Sequence, residues 1–127
     1  MMNQNQDMRL SVEVSQADFE SEVLRSRQPV LVEFWAPWSR PCRILDSALN
    51  EAAIACAGRV KVVKVNADDN PDLSLWYGVQ SIPTLLYFDA GGLRARLVGT
   101  VSKQAILSKL QAVSPGGDAN SPPKPGT

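Results

Sequence analysis

A chain of 127 residues that is 44% apolar, 20% charged and formally neutral is one domain's worth of globular protein. The even charge balance, with no cluster of Lys and Arg, argues against nucleic acid or an anionic membrane surface as the main partner, since both reward a concentrated basic face. No apolar stretch approaches the ~20 residues that span a bilayer. Histidine is absent, which removes the usual general base, proton shuttle and commonest metal ligand together.

Taken in order, residues 1–8 read as a loose end. The opening M-M-N-Q-N-Q-D is polar and carries an acid where a secretory signal has basic residues and then an apolar core, so the chain reads as cytoplasmic. From Arg9 to Val14, Leu10, Val12 and Val14 alternate with polar neighbours, the period of a half-buried strand. Ser15 then resembles a helix N-cap with an acid, Asp18, three residues on. Phe19, Val23 and Leu24 give that helix its apolar stripe. Pro29–Trp35 is a nearly continuous apolar run suited to a strand buried on both faces, with Glu33 its one exception.

A helix follows through Ile44, Leu45, Leu49, Ala52, Ala53 and Cys56 and closes at Gly58. Val60–Val65 is a second buried strand. A turn-rich stretch, Asn66–Asp72, leads into a short helix that ends near Tyr77. Thr84–Phe88 is a third central strand, and the Asp89–Gly92 stretch signals a hairpin whose return arm is Leu93–Val98. Ser102 caps a last amphipathic helix carrying Ile106, Leu107, Leu110 and Val113. The tail 114–127, rich in Pro and Gly, has nothing to bury and reads as disordered. The order β-α-β-α-β-α-β-β-α implies an α/β domain over 9–113 with a mixed sheet.

Between the first buried strand and the long helix lies W-A-P-W-S-R-P-C-R, Trp35–Arg43. It holds two of the three tryptophans and one of the two cysteines. Ser39 is a preferred N-cap type, able to accept from the Cys42 N–H. With no histidine to activate it, its hydroxyl is no nucleophile. Cys42 falls in the first helical turn between Arg40 and Arg43, a setting that favours thiolate, whereas burial of the same thiol would oppose it. Cys56 reads as a small hydrophobe. Two cysteines without histidine make no typical zinc site, so neither a metal nor another cofactor is expected. Fourteen residues of one helix hold the two thiols roughly 21 Å apart, too far for a disulfide that needs Cα atoms within about 7 Å. Glu33 is either an acid facing solvent at a strand end or a buried one.

Across residues 9–113 the sequence resembles the thioredoxin family. V-L-V-E-F-W-A-P-W, P-C-R, V-K-V-N-A-D-D-N-P, Y-G-V-Q-S-I-P-T-L-L-Y-F and A-G-G followed by V-G occur in the matching order. The resemblance implies the thioredoxin fold, a central mixed five-stranded sheet flanked by about four helices. The family motif is W-C-G-P-C-K, in which the first cysteine attacks a substrate disulfide and the second resolves the mixed disulfide. Here Ser39 takes the place of the nucleophile and Cys42 that of the resolving thiol. Glu33 matches the family's buried acid, an Asp there, and Lys64 matches its companion lysine. Pro83, trans by base rate, matches a cis proline. Trp38, Pro41, Ile82, Pro83, Val98 and Gly99 match the apolar surface on which substrates dock. The family's kinking helix proline is missing near Ser47, which implies a straighter helix.

The implied function is that of a monomeric thiol–disulfide oxidoreductase whose turnover is weak or absent because position 39 is serine. Its partners would be proteins with disulfides or extended segments, with thioredoxin reductase as the candidate recycling enzyme. A non-catalytic client-binding module of chaperone type is the alternative, and a redox switch working through a Cys42 mixed disulfide is a third.

Overall fold

The structure, a computed structural model, describes residues 11–56 and 58–112. The expectations for the two chain ends, Leu10 and Val113 included, lie outside these residues. Five strands form one sheet in the order β1-β3-β2-β4-β5: β1 (Ser11–Glu13), β2 (Val30–Trp35), β3 (Lys61–Asn66), β4 (Thr84–Asp89) and β5 (Gly92–Val98). The first three run parallel, while β4 is antiparallel to both β2 and β5. The helical elements are α1, α2 (Arg40–Ala55), α3 (Pro71–Trp76) and α4 (Lys103–Ala112), α1 being a 3-10 turn (Gln16–Asp18) that runs into a π turn (Glu20–Leu24). This is the expected α/β architecture.

Because successive strand side chains point to opposite faces, the central strands β2, β3 and β4 each feed two cores. Val30, Val32 and Phe34 of β2 join Val63, Val65, Leu86 and Phe88 in one core, where Phe19 and Tyr77 pack ring against ring at 5.6 Å. On the other face Leu31, Val62, Leu85 and Tyr87 meet Leu45, Leu49 and Cys56 of α2 and Ile106 and Leu110 of α4. Glu33 and Lys64 have the parity of this second face and are register partners across β2 and β3. The lone acid of β2 is therefore carried under α2.

Two local expectations need correction. Ser15 does not cap a regular helix: its hydroxyl donates to the Asp18 carboxylate at 3.2 Å, and no side-chain bond reaches a backbone N–H. The connection between the edge strand and β2 closes in tight 3-10 and π turns that still bury Phe19 and Val23. Val12 is 50% exposed although Val14 is buried, because β1 is an edge strand that α1 covers only at its end. The hairpin forms as expected. Ala90 and Gly91 have φ of 53° and 81°, the pair of positive values that a two-residue type I′ turn requires. The last helix is capped by Ser102, whose Oγ accepts from the Ala105 N–H at 3.0 Å.

Candidate functional site

The strand registers bring four chain segments to one edge of the sheet. Trp35 ends β2 beside Asn66, the end of β3. Thr84, first residue of β4, pairs with Phe34 on one side and with Val98, last residue of β5, on the other. Pro83 thus lies beside the loop that leaves β2, and the Gly99 N–H donates to the Pro83 carbonyl at 2.9 Å. The Ile82–Pro83 peptide is cis.

Ser39 sits at the N-cap of α2 with extended backbone. Its Oγ accepts from the Cys42 N–H at 3.3 Å, satisfying one of the four amides that a helix start leaves without partners. Pro41, in the first turn, is preset for helix and lacks only an N–H that would have been orphaned there. Ser39 is 2% and Cys42 3% exposed, so hydroxyl and thiol are both nearly closed off from water. Arg43 does not flank the thiol as its sequence position suggests. Its guanidinium folds back to donate to the Pro37 carbonyl at 3.1 Å and pins the loop. Cys42 and Cys56 are both free thiols.

Beneath this turn Glu33 is fully buried, and neither carboxylate oxygen has a hydrogen-bond partner among the described residues. Desolvation raises its pKa to about 8; Lys64 lowers it, while Asp46 and Glu13 add to the rise. The solvent-facing alternative for Glu33 is excluded. Lys64 is committed elsewhere: its Nζ lies 3.6 Å from Asp46 Oδ1 and 4.3 Å from the centre of the Trp35 ring. Strand neighbours by register, Glu33 and Lys64 form no direct ion pair among the described residues. Lys64 tempers a neutral acid rather than pairing with an ionised one.

Three residues absent from the sequence-derived site turn out to organise it. Asp68 accepts from Trp38 Nε1 at 2.6 Å and holds that indole, which is 67% exposed. Glu13 accepts from Trp35 Nε1 at 3.1 Å, and Asp46 anchors Lys64. Only Asp46 carried a signal, the i+4 spacing from Cys42 that places both on one helix face. Around the site, Val98 is 56% exposed, Ile82 is half-buried and Pro83 is buried. Gly99 has φ of 90°, and a Cβ there would meet nothing within 4 Å. Backbone conformation, not crowding, is what asks for glycine at that position.

The thioredoxin family model matches residues 10–112. The chain belongs to the thioredoxin family. It is 46% identical over 99 residues to a thioredoxin of Griffithsia pacifica, an alignment covering 78% of this chain and 91% of that one. Against a thioredoxin of Synechocystis sp. it is 44% identical over 104 residues, covering 82% and 97%. A thioredoxin of Pseudomonas aeruginosa is 43% identical over 101 residues, covering 80% and 94%. The matched span takes in every strand and helix of the thioredoxin fold described above. Among the described residues no helix is long and apolar enough to cross a membrane, and no group of His, Cys, Asp or Glu is placed to hold a metal ion.

Proposed function

We propose that this chain is a thiol–disulfide oxidoreductase of the thioredoxin type in which the attacking atom has been replaced. The observation that carries this reading is Ser39: it occupies the N-cap next to a buried Cys42, with its oxygen bound to the Cys42 amide. In the family reaction a thiolate at this position forms an S–S bond to the substrate and expels the substrate's other sulfur. The second thiol then attacks the enzyme's first sulfur, forming a disulfide between the two enzyme sulfurs and expelling the substrate's remaining sulfur as a thiol, so that reduced substrate is released. An alcohol has neither the acidity nor the sulfur for the first bond, so the cycle does not start. Cys42 alone could at most hold a mixed disulfide that an external thiol must clear, since no second thiol is near enough to resolve it.

The substrate class is protein disulfides in extended segments, docked on Trp38, Pro41, Ile82, Pro83, Val98 and Gly99. Glu33 serves as the buried acid for the Cys42 proton, and Lys64 as the charge that moderates it. We assign the working domain to residues 9–113, with both ends as appendages, and place the protein in the cytoplasm as a monomer served by a thioredoxin reductase. A second reading, a non-catalytic module that holds extended clients, is favoured by one observation. The exposed Trp38 and Val98 and the open Gly99 are all retained where the nucleophile is not.

Insulin reduction with dithiothreitol tests the first reading. The native chain should give turnover no more than about a hundredth of an ordinary thioredoxin's, the penalty expected when a thiolate nucleophile is lost. Turnover comparable to an ordinary thioredoxin would refute it. Suppression of model-substrate aggregation, undiminished in Cys42→Ala, would favour the holding module.

A further inference from the structure

Away from the Ser39–Cys42 site, a cleft of about 550 Å³ opens between the C-terminal end of α2, the approach to β3 and the outer face of α4. Fourteen helical residues, roughly 21 Å, separate Cys42 from Cys56 at this far end. The volume falls within the ~300–1,000 Å³ typical of small-ligand sites.

Its chemistry is lopsided. Val60, Leu107 and Leu110 make an apolar wall, and Cys56 and Tyr87, 7% and 3% exposed, lie at the bottom. Among the described residues that line it, Arg59 is the cation and none is Asp or Glu. The Arg59 Nε donates to the Cys56 carbonyl at 2.9 Å, which fixes the guanidinium and leaves its two terminal nitrogens available. Tyr87 is 3% exposed as a residue and lines this cleft. Burial first, then Asp89 and Cys56, raise its pKa against the opposing effect of Arg94, so the hydroxyl keeps its proton and stays a donor.

We propose that this cleft binds a small amphipathic organic anion. The ligand's apolar body lies against Val60, Leu107 and Leu110, its acidic group meets Arg59, and an acceptor atom takes the Tyr87 hydroxyl. The site is independent of the thiol chemistry, because its residues belong to the opposite end of α2.

The test titrates the full-length chain with 8-anilinonaphthalene-1-sulfonate, followed by fluorescence, beside its uncharged relative N-phenyl-1-naphthylamine. The anion should bind once per chain, and Cys56→Trp, which fills the bottom of the cleft, should abolish the signal. Arg59→Ala should weaken binding about tenfold, the worth of one charge-assisted hydrogen bond. Should Cys56→Trp fail to fold, Ser108→Glu changes an exposed rim residue of α4 and should weaken binding of the anion but not of the neutral dye. Trp76→Ala, on the exposed Leu75–Trp76 patch of α3, should change nothing. The proposal falls if the anion does not bind. It falls equally if the neutral dye binds as tightly, if binding is lost with Trp76→Ala, or if it survives both Cys56→Trp and Ser108→Glu.

Discussion

Replacing Ser39 by cysteine should turn this chain into a working disulfide reductase. The substituted sulfur would stand at the N-terminus of α2, where unpaired amides and the positive end of the helix dipole stabilise a thiolate. It would also stand three residues before Cys42, the spacing of a C-x-x-C pair. Against the native chain, insulin reduction should rise at least about a hundredfold, because a thiolate replaces an unactivated alcohol. The variant should also be re-reduced by thioredoxin reductase and NADPH. The exchange has a cost in the reduced form. Sulfur is a poorer acceptor for the Cys42 N–H than the oxygen now 3.3 Å away, so stability should drop by about 1 kcal/mol, the usual worth of an N-cap. A folded Ser39→Cys protein that neither reduces insulin nor accepts electrons from the reductase would mean that more than one atom separates this site from catalysis. The holding module would then be the better account.

The second large effect concerns Glu33 and pH. Its pKa is about 8 in the folded chain against an ordinary 4.5, so between those values the native state keeps a proton that the unfolded state has released. Stability that depends on this proton is complete below pH 4.5 and is lost as pH rises through 8. Since each tenfold difference in proton affinity between the two states is worth about 1.4 kcal/mol, the native chain should lose on the order of a few kcal/mol of unfolding free energy between about pH 5 and pH 9. Glu33→Gln cannot ionise and should be nearly flat over that window. It should be the more stable of the two above about pH 8, although its amide brings a buried donor of its own that costs about 1–3 kcal/mol. Urea unfolding at several pH values reads the difference in slope. Parallel curves for the two proteins would show that Glu33 reaches water and ionises normally.

The contrast between Ser39 and Glu33 explains how much of this molecule was readable from its sequence. The cap at Ser39 is a local device, decided by residue type and a three-residue spacing, and it forms as read. The succession of strands and helices, and a first central strand buried on both faces, followed from apolar runs of the right period; the order of the strands within the sheet did not. Glu33 was harder. Parity places it on the face of Leu31, but only the packing of α2 across that face decides whether an acid there is wet or dry. The same limit applies to Trp38 and Asp68, thirty residues apart in sequence and 2.6 Å apart in space. At Ser15 the local rule misled. The cap signature is present, yet the connection from β1 to β2 starts with a 3-10 turn in which the hydroxyl turns to Asp18 instead.

The bond between the Ser39 oxygen and the Cys42 amide has one more consequence. A dithiol protein alternates between two covalent forms, and what it presents to a partner changes with the oxidation state of its surroundings. Here the same two positions are joined by a link that no electron transfer can open or close. The surface beside it is therefore not reshaped by an internal disulfide, and a partner docked there without a bond to the Cys42 sulfur would be released by competition rather than by reduction.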